Sequence, residues 1–144
     1  MLPQLFAARC ELPVHEPEDK EPIAAGIWFA APDYHLLVEA DRTFSLSIDE
    51  PVKFSRPSID VLFESAARVY GPDLLGVVLT GANDDGAAGS EMIRKLGGAV
   101  AVQDPDTALA AEMPRAAIRR AHPQWIGAVH DLPSMMILAS GGAP

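Results

Sequence analysis

Apolar residues along the chain follow two different periods. In Ser58–Tyr70, residues Ile59, Leu62, Phe63, Ala66 and Tyr70 fall on one helical stripe, with Gly71 at the position that ends it. Gly86–Leu96 repeats the pattern, with Ala88, Met92, Ile93 and Leu96 inward and Gly97–Gly98 as the stop. Leu74–Thr80 and Ala99–Gln103 are instead short, continuous and apolar, as strands covered on both sheet faces must be. Pro114–Ala121 opens a third helix with proline in the first turn, where its missing N–H is harmless. Trp125–Val129 suits an edge strand, and Asp131 can cap a last helix running to Ser140. Helices alternating with apolar strands predict an α/β domain with a parallel sheet.

The first third differs. Leu2, Leu5 and Phe6 have the spacing of a short helix, and the acidic, proline-rich residues 11–25 read as an exposed loop. Gly26–Ala31 and His35–Glu39 are strand-like runs separated by the turn pair Pro32–Asp33. Thr43–Ile48 alternates polar and apolar residues, and Asp41–Arg42 would close a hairpin with His35–Glu39. This is an antiparallel excursion from the parallel sheet. With so few buried parallel strands, the sheet is expected to be undersized, so that either another chain pairs with it or it is part of a larger domain.

Composition narrows the function. Across 144 residues, 20 acids against 11 basic residues give a net charge of −9, which disfavours nucleic acid and anionic membrane surfaces as partners. The single cysteine, Cys10, permits no intrachain disulfide and suits a cytoplasmic setting. The longest mostly apolar run, Ala24–Ala31, is far short of the ~18 residues a bilayer span requires.

The chemistry concentrates in Thr80-Gly81-Ala82-Asn83-Asp84-Asp85-Gly86, after one predicted strand and before a helix. That is the carboxyl end of a parallel strand, where open α/β sheets bind their ligands. Its two carboxylates could cap a helix, hold a divalent cation or orient a histidine. It is not a phosphate loop, because no lysine follows the second glycine and the acids would repel phosphate. No two histidines among His15, His35, His122 and His130 have the helical i, i+4 spacing of a zinc pair, and neither metal nor cofactor is expected. No serine occupies a Gly-x-Ser-x-Gly elbow. Arg115, Arg119 and Arg120 form a small basic cluster, either a solvated face or a contact for an acidic partner.

Several stretches together resemble the C-terminal catalytic domain of the chemotaxis protein-glutamate methylesterases. They are Arg56 through Ala66, Gly76-Val77-Val78-Leu79-Thr80-Gly81 with Asp85-Gly86, Gly97-Gly98 through Gln103-Asp104-Pro105, and Met113-Pro114-Arg115-Ala116-Ala117-Ile118. Ala30 through Leu37 fits as well, so the likeness covers nearly the whole chain in order. The resemblance implies a doubly wound α/β domain with a mostly parallel sheet, incomplete at the N-terminus in this chain, that hydrolyses γ-glutamyl methyl esters on chemoreceptor helices, with possible glutamine deamidation, by a Ser–His–Asp triad in a cytoplasmic enzyme. Asp85 matches the triad acid, and the backbone N–H of Ala82 matches part of the oxyanion hole, at a position where the family usually has methionine. Met113, Pro114 and Arg115 match the substrate side. Glu112 departs from the family's usual glycine, and Asn83-Asp84 departs from its usual pair.

By this likeness residues 1–144 are the C-terminal two-thirds of the catalytic domain, with no receiver domain, and the serine and histidine precede Met1. The isolated chain is then expected to be inactive. The alternative is a non-enzymatic module that docks on receptors or another protein, and a homo-oligomer is expected from the uncovered sheet edge. The esterase assignment demands that Asp85 not be turned from any cleft and wholly consumed by neighbouring amides.

Overall fold

The computed structural model describes residues 11–139. A three-stranded parallel sheet, in the order β5–β6–β7, forms its centre: β5 is Leu75–Val78, β6 is Ala99–Gln103 and β7 is Trp125–Gly127. Val78 pairs with Val102 and Ala101 with Trp125, so alternate residues of adjacent strands share a face. One face carries Val78, Val100 and Val102 against helices α1 (Ile59–Tyr70), α2 (Ala87–Lys95) and α3 (Glu112–Ala121), which contribute Ala67, Ile93 and Ala117. The other face sets Leu75, Val77, Ala101 and Trp125 against Leu132 and Met135 of α4 (Leu132–Ala139). Helices cover both faces, as a doubly wound sheet requires.

Small residues set how closely the helices approach. A Cβ on Gly89 of α2 would lie 2.5 Å from Phe63 Cβ and 3.2 Å from Asp60 Cα. A Cβ on Gly76 of β5 would lie 2.7 Å from Ile93 Cδ1. Ile93 itself is fully buried, which stabilises the fold by about 1.5–3 kcal/mol relative to exposure.

The remaining strands form two separate pairs. β3 (His35–Val38) and β4 (Phe44–Ser47) are the expected antiparallel hairpin, with Leu36 opposite Leu46. β1 (Val14–His15) pairs with β2 (Ile27–Trp28) in parallel. That corrects one expectation: residues 11–25 are not all loop, since Val14–His15 is a strand whose partner, Ile27–Trp28, lies in the strand-like Gly26–Ala31 run. The β1–β2 pair rests on amides of Ile27 and Phe29 donating to the carbonyls of Pro13 and His15. A two-residue strand flanked by prolines has no period to read.

Other departures have equally local causes. β5 alternates half-buried and buried positions instead of being covered on both faces, because α4 alone covers the second face among the described residues. Leu96 is 40 % exposed because it is the cap residue where α2 ends, not an inward position. α3 starts at Glu112, two residues earlier than the proline suggested. β7 stops at Gly127, and a single 3₁₀ turn over Val129–Asp131 leads into α4. Asp131 faces His130 at 3.5 Å instead of capping α4. The expected helix at Leu2–Phe6 and the end at Ser140 lie outside the described residues.

Candidate active site

The loop after β5 is clamped at its start. Gly81 N–H donates to the Ala110 carbonyl at 3.0 Å, and Met113 N–H donates to the Gly81 carbonyl at 3.0 Å. Ala110 N–H donates to Thr80 Oγ1 at 2.8 Å, and that hydroxyl donates back to the Ala110 carbonyl at 3.1 Å. Buried Gln103 completes the clamp: its Oε1 accepts from Thr80 N–H at 2.9 Å and its Nε2 donates to the Thr107 carbonyl at 3.3 Å. Met113 packs so closely on Gly81 that an added Cβ would lie 2.6 Å from its Cε. The sequence motifs at 80–86 and 113–115 therefore meet in space. Gln103 was missed from sequence because nothing in a strand-ending glutamine announces two loop partners.

Past the clamp, Ala82 is exposed and its N–H makes no hydrogen bond among the described residues. Asn83 Oδ1 accepts the Asp85 N–H at 2.9 Å, a local turn that sets the direction of the Asp85 side chain. Gly86 follows at φ 97°, where an L side chain would be strained.

Asp85 is 3 % exposed and its carboxylate reaches across to the first turn of α1. Oδ1 accepts from Ser58 Oγ at 2.8 Å and from Asp60 N–H at 3.0 Å, and Oδ2 accepts from Ile59 N–H at 2.7 Å. These are helix-start donors with no partner inside α1, and the positive end of the helix dipole adds to their attraction for an anion. The capping alternative is thus partly right, but the helix capped is α1 and not the one Asp85 precedes. Asp60 returns the favour: its Oδ1 accepts from Gly86 N–H at 3.0 Å and Gly89 N–H at 2.7 Å, at the start of α2. Each carboxylate caps the other's helix. A carboxylate has about four acceptor positions, so three donors leave Asp85 one, on Oδ2.

Asp60 lies buried close to a second acid. Burial pushes the Asp60 carboxyl above its ordinary value, and the negative charge of Asp85 pushes the same way. The amides of Gly89 and Gly86 and the Lys53 ammonium oppose that rise. Lys53 Nζ lies 3.8 Å from Asp60 Oδ2 and 3.0 Å from Asp84 Oδ2. Its hydrogen bond and charge hold Asp84 below the ordinary carboxylate range. An ammonium thus neutralises Asp84 while Asp85 is committed to amides, so the two acids do not converge on a common cation; no cluster of three potential metal ligands occurs among the described residues.

The buried His35 adds support from behind. Its Nδ1 accepts from Ser58 N–H at 3.1 Å, and Nε2 lies 2.9 Å from the Glu50 carbonyl, so Nε2 carries the proton. Ser58 is 2 % exposed and gives its hydroxyl proton to Asp85, so it is a strut and not a nucleophile. Neither residue supplies a Ser–His pair for hydrolysis.

The arginine cluster is smaller than its sequence suggests. Arg120 Nη2 donates to Glu91 Oε1 at 3.1 Å, leaving Arg115 and Arg119 as exposed cations without an ion pair among the described residues. Pro114 is buried at the start of α3, and Met113 is half-buried against Gly81.

The chain as a whole is similar to known proteins. A family model described as CheB methylesterase matches residues 1–136. A relative from Leptospira interrogans, named for protein-glutamate methylesterase/protein-glutamine glutaminase, is 50 % identical over 129 residues, covering 89 % of this chain and 67 % of the relative. A protein-glutamate methylesterase/protein-glutamine glutaminase of the group 3 operon of Bradyrhizobium diazoefficiens is 38 % identical over 133 residues, covering 90 % of this chain but 37 % of that one. The crystal structure of the Thermotoga maritima CheB methylesterase catalytic domain superposes with a TM-score of 0.88 at 28 % identity, covering 95 % of this chain and 75 % of that one.

Proposed function

The chain belongs to the CheB methylesterase family of carboxylic ester hydrolases, and we propose that it carries the acid and part of the oxyanion hole of a protein-glutamate methylesterase site. The substrates on this reading are γ-glutamyl methyl esters, and the matching glutamine amides, on chemoreceptor helices in the cytoplasm. One observation carries the proposal: the buried, triply anchored Asp85 carboxylate keeps an acceptor position on Oδ2. A carboxylate fixed this way can hold an imidazole in one tautomer and stabilise the imidazolium formed when a serine is deprotonated. The unpaired N–H of Ala82 supports a second role on the same loop, donation to the oxyanion of the tetrahedral intermediate. The clamp at Gly81 limits how far that donor can wander.

The reaction is acyl transfer. The serine oxygen attacks the ester carbonyl and gives its proton to the imidazole. Methanol leaves with that proton, and water then releases the γ-carboxylate. Residues of this chain contribute orientation and charge stabilisation, and Met113, Pro114 and Arg115 flank the loop on the substrate side.

Mixing the chain with a polypeptide comprising the part of the Leptospira relative outside the matched region tests the proposal. Methanol release from methylated chemoreceptor fragments is expected from the mixture and from neither component alone. Turnover by the chain alone, or none from a mixture shown to associate, would contradict it.

A further inference from the structure

One cation stands between the acids of the candidate loop and the start of α1. Lys53 lies on a tight turn in which Val52 and Ser55 exchange both backbone hydrogen bonds, at 3.0 and 2.9 Å. Lys53 and Phe54 both take positive φ there, 49° and 65°, with no glycine to relieve it. Non-glycine residues in this conformation are strained, and such strain collects where a side chain must be presented in a set direction. The direction here is toward Asp84 and Asp60. The ammonium lies 3.0 Å from Asp84 Oδ2 and 3.8 Å from Asp60 Oδ2, and it reaches the Asp84 carbonyl at 3.5 Å.

These two acids hold the chain on either side of Asp85. Asp84 precedes it directly. Asp60 grips the residue that follows it, accepting Gly86 N–H on Oδ1 at 3.0 Å together with Gly89 N–H at 2.7 Å. No hydrogen-bond donor reaches Asp60 Oδ2 among the described residues, so the Lys53 ammonium is what answers its charge. The Asp60 side chain is 7 % exposed, so water screens this pair less than it screens one on the open surface. Burial and the Asp85 charge push the Asp60 carboxyl up, and Lys53 opposes them. An ionised Asp60 binds the Gly86 and Gly89 amides more strongly than a protonated one would. The other charged and titratable neighbours are engaged elsewhere. Arg56 donates to the Ile48 and Asp49 carbonyls, Arg120 is paired with Glu91, and His35 bonds Ser58 N–H and the Glu50 carbonyl.

We propose that Lys53 is a positioning residue of the esterase site: its ammonium bridges Asp84 and Asp60, and through them it fixes the backbone before and after Asp85. This role rests on the esterase reading of the same loop. It goes further by giving a turn 31 residues upstream of Asp84 the task of keeping the orienting carboxylate still.

Carboxyl NMR and amide exchange on this chain alone, native and with Lys53→Met or Lys53→Arg, test the bridge without catalysis. Lys53→Met is expected to raise the Asp60 titration midpoint by about half a pH unit or more, because a neighbouring cation is lost. Gly86 N–H exchange should quicken about fivefold or more, while Val102 N–H in the sheet is unchanged. Lys53→Arg keeps the charge and should restore both. An unchanged Asp60 midpoint or an unchanged Gly86 exchange rate in Lys53→Met would overturn the proposal. In the mixture with the complementing polypeptide, Lys53→Met leaves Asp60 and the imidazole beside more negative charge, so the acid limb of methanol release should move to higher pH. A loss of turnover equal at every pH would be merely structural and would count against Lys53 as a positioning residue. Absence of turnover from the native mixture would contradict the esterase reading instead, and titration and exchange of the chain alone would still decide whether Lys53 makes the bridge.

Discussion

The loops leaving β5 and β6 begin alike and end differently. Each follows a parallel strand and carries an aspartate at the sheet's carboxyl end. After β6, Asp104 accepts from Asp106 N–H at 3.0 Å, two residues on, and caps its own 3₁₀ turn. After β5, Asp85 ignores its own helix and binds three donors at residues 58–60, more than twenty positions away in the chain. A local cap is a convenience of one turn. The distant cap welds the starts of α1 and α2 together and leaves a carboxylate fixed in position with an acceptor to spare.

Removing each aspartate should separate these roles most sharply. Asp85→Ala strands a hydroxyl and two amides in a buried place, at about 1–3 kcal/mol for each unsatisfied group. Relief of its repulsion with Asp60 offsets part of that, so urea unfolding is expected to show a loss of about 3 kcal/mol or more. An effect under about 1 kcal/mol would mean that the crossed caps contribute little.

Asp60 gives a gentler, pH-dependent probe. Its carboxyl is raised by burial and by Asp85, so the folded state holds this proton more tightly than the unfolded chain does. Its contribution to stability therefore falls as pH climbs from the ordinary value of 3.8 through the raised folded value. The slope cannot exceed about 1.4 kcal/mol per pH unit for one group. Asp60→Asn should flatten that limb of the stability–pH curve; an unchanged curve would show that Asp60 is not the group responsible.

Asp104→Ala is the smallest change, because the amide it frees is solvent-exposed. A loss of about 0.5–1 kcal/mol is expected from a lost cap. A loss equal to that of Asp85→Ala would erase the distinction between the two loops.

How much of this was legible in the sequence follows the same division between local and distant. The α1 and α2 stripes, Gly71 and the Ala99–Gln103 strand were readable because period, cap and strand length are properties of adjacent residues. Asp85 was readable as a candidate because its loop follows an apolar strand and matches a family motif. Its partners were not, since no spacing rule links residue 85 to Ser58, Ile59 and Asp60. Gln103, the parallel pairing of Val14–His15 with Ile27–Trp28, and the neutralisation of Arg120 by Glu91 were hidden for the same reason. The half-exposed face of Leu75 and Val77 was misread because an apolar run records which residues can be buried, not what covers them.

The account rests on Asp85 working on an imidazole through its remaining acceptor position while its other positions hold the fold. The most direct measurement is methanol release by the chain and its complementing polypeptide with Asp85→Asn in place of the native residue, at a temperature where circular dichroism shows both folded. An orienting acid predicts a fall in turnover of about 10⁴-fold. Turnover within tenfold of the native mixture would show that Asp85 is a helix cap and nothing more.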